Sequence, residues 1–331
     1  MFLHRFSKVQ APEFPQRLVW LNSDPLRLRR LAGKVVLIDF WTYSCVNCVR
    51  TFPHVQKWHD AYSEKGLVVI GVHTPEFAFE KKVDNVKSAI RKYKISYPVV
   101  LDPDYNIWKL FANRWWPRTF LIDAKGHIVY DHVGEGGYAE TEQAIQKALK
   151  EIGDSNLPAV EPDVSVGGGI CYRTTPETYL GFLRGRYGNA GDFMPKVEHA
   201  FTDLGQHEED LVYLNGHFRI DGECIEHTKK TSSATEYLAI KYSAFSVNVV
   251  VENSGTRSSK LFIELDGHPL PEDMAGEDVS FEKGQAIVRV TKSRMYRIVD
   301  SDTYHKGMLK IKIVDSGVRF FAFTFGGCKG M

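Results

Sequence analysis

Cys45 and Cys48 are the residues whose type and spacing most directly imply chemistry. Two thiols separated by Val46-Asn47 can cycle between dithiol and disulfide. Lys34 to Trp41 is an apolar run that reads as a buried central strand. From Val46 to Tyr62, apolar residues at 49, 52, 55, 58 and 62 keep helical spacing. Cys45 is therefore expected where a strand hands over to a helix N-terminus. Unpaired backbone N–H groups and the positive end of the helix dipole stabilise a thiolate there. The thiolate is the nucleophile of disulfide exchange, and a second thiol one turn on can resolve the mixed disulfide.

Half of a zinc site is the competing reading. Zinc needs four ligands, usually a second CxxC or an HxxxH. Cys171, Cys224 and Cys328 are scattered and form no second pair, so no metal is expected. Cys171 and Cys328 sit near the two ends of the C-terminal half and could pair, but buried inert thiols are the default expectation.

Asp39 lies six positions before Cys45, on the strand beneath the pair. A buried carboxylate there can take or give the proton of the resolving thiol, its own pKa raised by desolvation. A strand-end Asp bonded to backbone is the plainer alternative. Pro53 must kink the helix, and Pro117 stands directly ahead of a strand, where a cis bond is accommodated.

With these residues in place, the chain resembles the thioredoxin fold, and within it the TlpA-like redoxins. Strand-CxxC-helix, Asp39, Pro53 and Pro117 fall where that family carries them. Phe40 to Thr51, Gly71 to Phe77, Gly134-Glu135-Gly136 and Thr175 to Gly181 are similar to the soluble part of DipZ-type cytochrome c biogenesis proteins. In those proteins a CcdA-like membrane domain precedes a redoxin, which is followed by a β-rich carbohydrate-binding-module-like domain. The resemblance implies disulfide-containing protein substrates and a thiol partner for electrons, of which a CcdA-like membrane protein is one. It also raises a glycan as a ligand.

His73 and Glu76 follow the strand beside the CxxC strand and are expected at the sheet edge that ligands favour in open α/β sheets. The TlpA-like resemblance implies an acid near this point that tunes the cysteines, matched best by Glu76. A helix N-cap region explains the same residues. Trp115, Trp116 and Arg118 flank Pro117 and are expected to form a docking face for an extended substrate; burial of one indole in the core is the alternative. Thr42 and Cys45 form a TxxC, which is similar to the peroxiredoxins, but Ile38 replaces the proline of the fuller motif. A thiol peroxidase is thus the second functional reading. A glycan- or protein-binding module with a secondary redoxin is the third.

The 331 residues suffice for two cored domains. Net charge of +1 argues against a nucleic-acid-binding or polybasic membrane role. No stretch approaches the length of a membrane-spanning helix, and Met1 to Gln10 carries no apolar signal core. The chain as written is expected in the cytoplasm; the resembled family works outside the membrane.

Strand and helix patterns alternate to about residue 152, with a hairpin signal at Ala124-Lys125-Gly126, which is the order a redoxin needs. Glu76 to Lys94 has helical spacing. Gly153 to Pro158 reads as a linker and Gly167-Gly168-Gly169 as a loop. From about residue 210 short alternating runs separated by turn signals predict a sandwich or jelly roll. Tyr237 to Tyr242, Ser246 to Val251, Met295 to Val299 and Met308 to Val314 are four of those runs. The expected organisation is a thioredoxin-like domain at 1–155, then a β-sandwich at 160–331 with an irregular leading segment to about 210. That leading segment is too apolar for a free linker and is expected to pack on the redoxin.

The function expected is thiol–disulfide oxidoreduction, acting as a reductase. Cys45 attacks, Cys48 resolves, Asp39 handles the resolving proton and Pro117 shapes the docking groove. That chemistry requires no flavin, nicotinamide or metal in the chain.

Overall fold

The computed structural model describes residues 9–162, 171–254 and 258–328. The first eight residues and the Gly167-Gly168-Gly169 loop lie outside them. The chain divides into two compact units, Met1–Gly167 and Gly168–Met331.

The elements of the first unit are β1 (Val9–Gln10), β2 (Trp20–Leu21), β3 (Val35–Trp41), α1 (Val46–Tyr62), β4 (Leu67–His73), α2 (Val83–Lys92), β5 (Val99–Leu101), α3 (Asn106–Leu110), β6 (Arg118–Ile122), β7 (His127–Val133) and α4 (Tyr138–Glu151). Their sheet runs β1-β7-β6-β3-β4-β5-β2. β3, β4 and β5 are parallel, and β6 runs antiparallel to β3. Every residue of β3 is buried, as expected of a central strand covered on both faces. Val36, Ile38 and Phe40 join one core cluster with Ile70, Val72 and Phe120. Alternation sends Asp39 and Trp41 to the opposite face, where the Trp41 ring meets Phe52 of α1 edge-on, centroids 5.1 Å apart.

The stretch expected as one helix from Glu76 splits. A single turn at Ala78–Lys81 precedes α2, which starts only at Val83. That break places Glu80 beside the active-site loop.

Eleven strands of the second unit are linked by pairing into one antiparallel sheet around its own core. Two pairs of runs expected as separate strands are continuous: Glu236–Asn253 and Arg294–Ile313. No turn sequence interrupts Ser243-Ala244-Phe245, and a register shift between Ala244 and Ser246 absorbs the bend instead. The first half of Glu236–Asn253 pairs with Val212–Ile220 and the second half with Val318–Gly326. Within the leading segment, Thr178–Tyr179 pairs with Val318–Gly326 and Leu180 enters the second unit's core, so this stretch is part of that unit's own sheet.

Cys171 and Cys328 form a disulfide that joins residues 157 positions apart, at the two ends of the second unit. This corrects the default of inert thiols. The two cysteines lie opposite one another as an antiparallel bridge, with their Cα atoms 4.2 Å apart, inside the reach of about 7 Å beyond which two cysteines cannot be bridged. Cys224 is a buried free thiol whose pKa burial pushes up to about 12.

Candidate active site

α1 begins immediately after Cys45, which caps it in an extended conformation. The Cys45 Sγ accepts the backbone N–H of Cys48 at 3.4 Å, the role usually taken by a Ser or Asp oxygen at an N-cap. Cys45 is partly exposed, whereas Cys48, one turn deeper, has no exposed surface. Burial pushes the Cys48 thiol well up, and the nearby Cys45 sulfur and Asp39 carboxylate push it further; a Thr42 backbone hydrogen bond acts the other way.

Asp39 lies on β3 with 1% of its surface exposed. Neither carboxylate oxygen has a hydrogen-bond partner among the described residues. Burial raises its pKa to about 7. A carboxyl poised near neutrality beside a thiol that resists ionisation can accept that thiol's proton as the pair reacts.

Glu80, which sequence reasoning missed, is an acid that contacts the loop before Cys45. Glu80 is fully buried; its Oε1 accepts the Ser44 hydroxyl at 2.6 Å and the Ser44 N–H at 3.3 Å. Its Oε2 accepts the N–H groups of Glu76 at 2.5 Å and Phe77 at 3.0 Å. Burial outweighs these bonds and raises its pKa to about 7. Glu76 is only half-buried and contributes its backbone N–H to this network. The signal for Glu80 was an acid three residues after Phe77, where it can reach back to the start of a helical turn.

His73 is buried and does not reach a docking surface. β4 is flanked by β3 and β5, so its last residue is enclosed. The ring lies parallel to Tyr43 at 5.6 Å and edge-on to Trp41 at 4.9 Å. Burial lowers its pKa to about 3, so it stays neutral.

The segment around Pro117 is brought to the pair. The Trp116–Pro117 bond is cis, and the Trp116 carbonyl lies 4.0 Å from the Cys45 Sγ. Trp116 donates its indole N–H to the Thr74 carbonyl at 3.1 Å and packs on Trp108 at 4.3 Å. Its ring is thereby structural and its carbonyl faces the nucleophile. Trp115 is 49% exposed and is the indole able to meet a partner. The Arg118 guanidinium is engaged by Asp131 at 2.6 Å and lies over Phe120. Arg50, which sequence reasoning missed, pairs with Glu135 at 3.1 Å and ties α1 to the Gly134-Glu135-Gly136 turn. That turn meets Pro117 through the Gly134 N–H.

An α/β sheet carrying a buried strand, a CxxC at a helix start and a cis-proline against the first sulfur defines a thioredoxin-fold dithiol protein. Residues 7–149 match the Redoxin family and residues 175–326 the family described as "Thioredoxin like C-terminal domain". The chain is 33% identical over 326 residues, 96% of its length, to Protein DipZ of Mycobacterium tuberculosis, and spans 43% of that protein. It is 33% identical over 134 residues to the thiol-disulfide oxidoreductase ResA of Halalkalibacterium halodurans, covering 40% of this chain and 70% of ResA. A crystal structure of a thiol-disulfide isomerase from Corynebacterium glutamicum aligns with 42% of this chain and 96% of its own, at 26% identity and a TM-score of 0.38. The chain belongs to the redoxin family, with a thioredoxin-like C-terminal domain appended to its redoxin unit.

Proposed function

We propose that this chain is a thiol–disulfide oxidoreductase that reduces disulfides in protein substrates. The graded burial of the two thiols carries the reading: Cys45 meets solvent at the helix start, and Cys48 is sealed within the field of Asp39. The Cys45 thiolate attacks a substrate sulfur, the substrate S–S bond breaks and a mixed disulfide forms. Cys48 gives its proton to Asp39 and attacks the Cys45 sulfur. The Cys45–Cys48 bond forms and the second substrate thiolate leaves. Two electrons pass from the protein dithiol to the substrate, and an external thiol partner restores them. Trp115 and the Trp116 carbonyl beside Cys45 suit an extended substrate segment. The peroxidase reading lacks its proline: Ile38 is buried in β3 at that position.

For the electron partner we propose a membrane dithiol of the CcdA type, and for the location the extracytoplasmic side. Similarity to DipZ over 96% of the chain supports both, and the Cys171–Cys328 disulfide supports an oxidising compartment. Among the described residues no helix is long and apolar enough to cross a membrane. Glycan binding rests on fold analogy alone, since no tryptophan lies beyond Trp116.

Cys45→Ser should abolish insulin reduction, whereas Cys48→Ser should accumulate mixed disulfides. Equal residual activity in the two variants would sink the reading.

A further inference from the structure

Around Asp39, five buried polar atoms on β3, β6 and the segment before β5 have no hydrogen-bond partner among the described residues. Asp39 pairs across the sheet with Thr119 on one side and Gly71 on the other. Both Asp39 oxygens, the Thr119 hydroxyl, the Trp41 indole nitrogen and the Tyr97 hydroxyl are buried and have no hydrogen-bond partner among the described residues. Gly71 is what brings them close. A Cβ there would lie 2.7 Å from the Trp41 indole nitrogen and 3.0 Å from the Tyr97 ring edge.

Tyr97 is completely buried and is held from both sides. Asn22 donates to its carbonyl at 3.0 Å, and Gln56 of α1 grips the adjacent Ser96 through its hydroxyl at 2.6 Å and its N–H at 2.9 Å. The Tyr97 ring meets His59 of α1 edge-on at 6.1 Å. His59 is only half-buried, and its Nδ1 is also unpaired among the described residues. Buried polar atoms in native proteins are almost always satisfied, and those that protein groups leave open are met by internal water.

We propose that Tyr97 and His59, bridged by internal water, carry the proton that Asp39 takes from Cys48 out to solvent along the flank of α1. This rests on the dithiol reading above and adds the route. When Cys48 attacks the mixed disulfide its proton moves to Asp39, the Cys45–Cys48 bond forms and the substrate thiolate leaves. Asp39 then passes its proton to the bridging water. The Tyr97 hydroxyl accepts one proton and donates another, so it never ionises. His59 takes the proton at the protein edge and releases it to bulk water. The route ends at His59 in the last turn of α1, whereas Cys45 caps its first. The charged and titratable groups facing it are Asp39 and Cys48 at the inner end and Asp60 beside His59 at the outer end. Burial holds His59 below its ordinary pKa, so it is neutral and able to accept at pH 7.

Two measurements on the full chain test this. Rapid mixing of the reduced protein with glutathione disulfide separates attack by Cys45 from resolution by Cys48. Time-resolved infrared after the same mixing should show the Asp39 carboxyl protonated in the resolving step persisting about tenfold longer in Tyr97→Phe and His59→Gln, with the attack and resolution rates unchanged. Asp39→Asn removes the carboxyl that the route empties, so Tyr97→Phe should change neither rate in that background. A protonated Asp39 carboxyl that decays at the wild-type rate in both single variants overturns the route. Infrared titration of the Asp39 carboxyl needs no turnover. Loss of the Tyr97 hydroxyl removes a donor from the bridging water and should move the Asp39 midpoint up by about one pH unit. An unmoved midpoint in Tyr97→Phe overturns the proposal as well. Failure of the wild-type protein to react with any disulfide would instead strike at the oxidoreductase reading.

Discussion

Ser44 donates its hydroxyl to Glu80 Oε1 at 2.6 Å, joining the residue before the attacking cysteine to a buried carboxylate 36 positions away. Glu80 also holds the backbone of Glu76 and Phe77, so one side chain fixes two loops at the mouth of the site. Removing it leaves several buried donors without an acceptor. Glu80→Ala should destabilise the redoxin unit by roughly 2–4 kcal/mol in urea unfolding and slow disulfide exchange. Glu80→Gln, which keeps one acceptor oxygen, should recover part of the stability. Wild-type stability in Glu80→Ala would show that the loops are held by other means.

Iodoacetamide should label Cys45 of the reduced protein before Cys48. The first sulfur is partly exposed, and burial holds the second in its thiol form. Mass spectrometry of the singly alkylated protein reads the site directly, and preferential labelling of Cys48 would reverse the assigned roles.

Asp39 binds its proton more tightly folded than unfolded, because burial raises its pKa from the ordinary 3.8 to about 7. The penalty is absent at low pH and grows as pH rises through that window. Asp39→Asn should therefore gain stability relative to the wild type on going from pH 4 to pH 8, by roughly 2–4 kcal/mol. Glu80 titrates in the same direction in both proteins, so it cancels in the comparison. A stability difference that does not change with pH would mean that the carboxylate is solvated when charged.

The Cys171–Cys328 disulfide closes a loop of 157 residues. Restricting so long a loop in the unfolded chain stabilises by about 5 kcal/mol in the chain-entropy limit. Replacing both cysteines by serine should lower the unfolding free energy of the second unit by roughly 2–5 kcal/mol and make it insensitive to dithiothreitol. Identical denaturation curves for the wild type with and without reductant would contradict the bond.

Local pattern was enough to place the chemistry. Alternation and apolar runs mark a buried β3, helical spacing marks α1, and the break between them falls at Cys45. Those features depend on neighbours in the chain, so a one-dimensional reading reaches them. Pro117 before β6 was legible for the same reason, although its approach to Cys45 was implied by family resemblance rather than by spacing. What pattern could not reach was burial decided at long range. His73 ends a strand at a functional edge, but its neighbours β3 and β5 enclose it. Glu76 and Glu80 look alike in sequence; the turn at Ala78–Lys81 buries one and leaves the other half-exposed.

The amino-acid sequence by itself determined the redox pair, the acid on the strand beneath it, the α/β order of the first unit and the β-rich character of the second. Tertiary structure alone decided that Glu80 contacts the loop before Cys45. It also decided that the Trp116 carbonyl rather than its ring faces the nucleophile, that Cys171 meets Cys328, and that Glu236–Asn253 bends through a bulge instead of a turn. The reason is physical. Propensity and periodicity are set by residues a few positions apart, whereas desolvation, pKa and cross-chain bonding are set by whichever distant segments packing brings into contact.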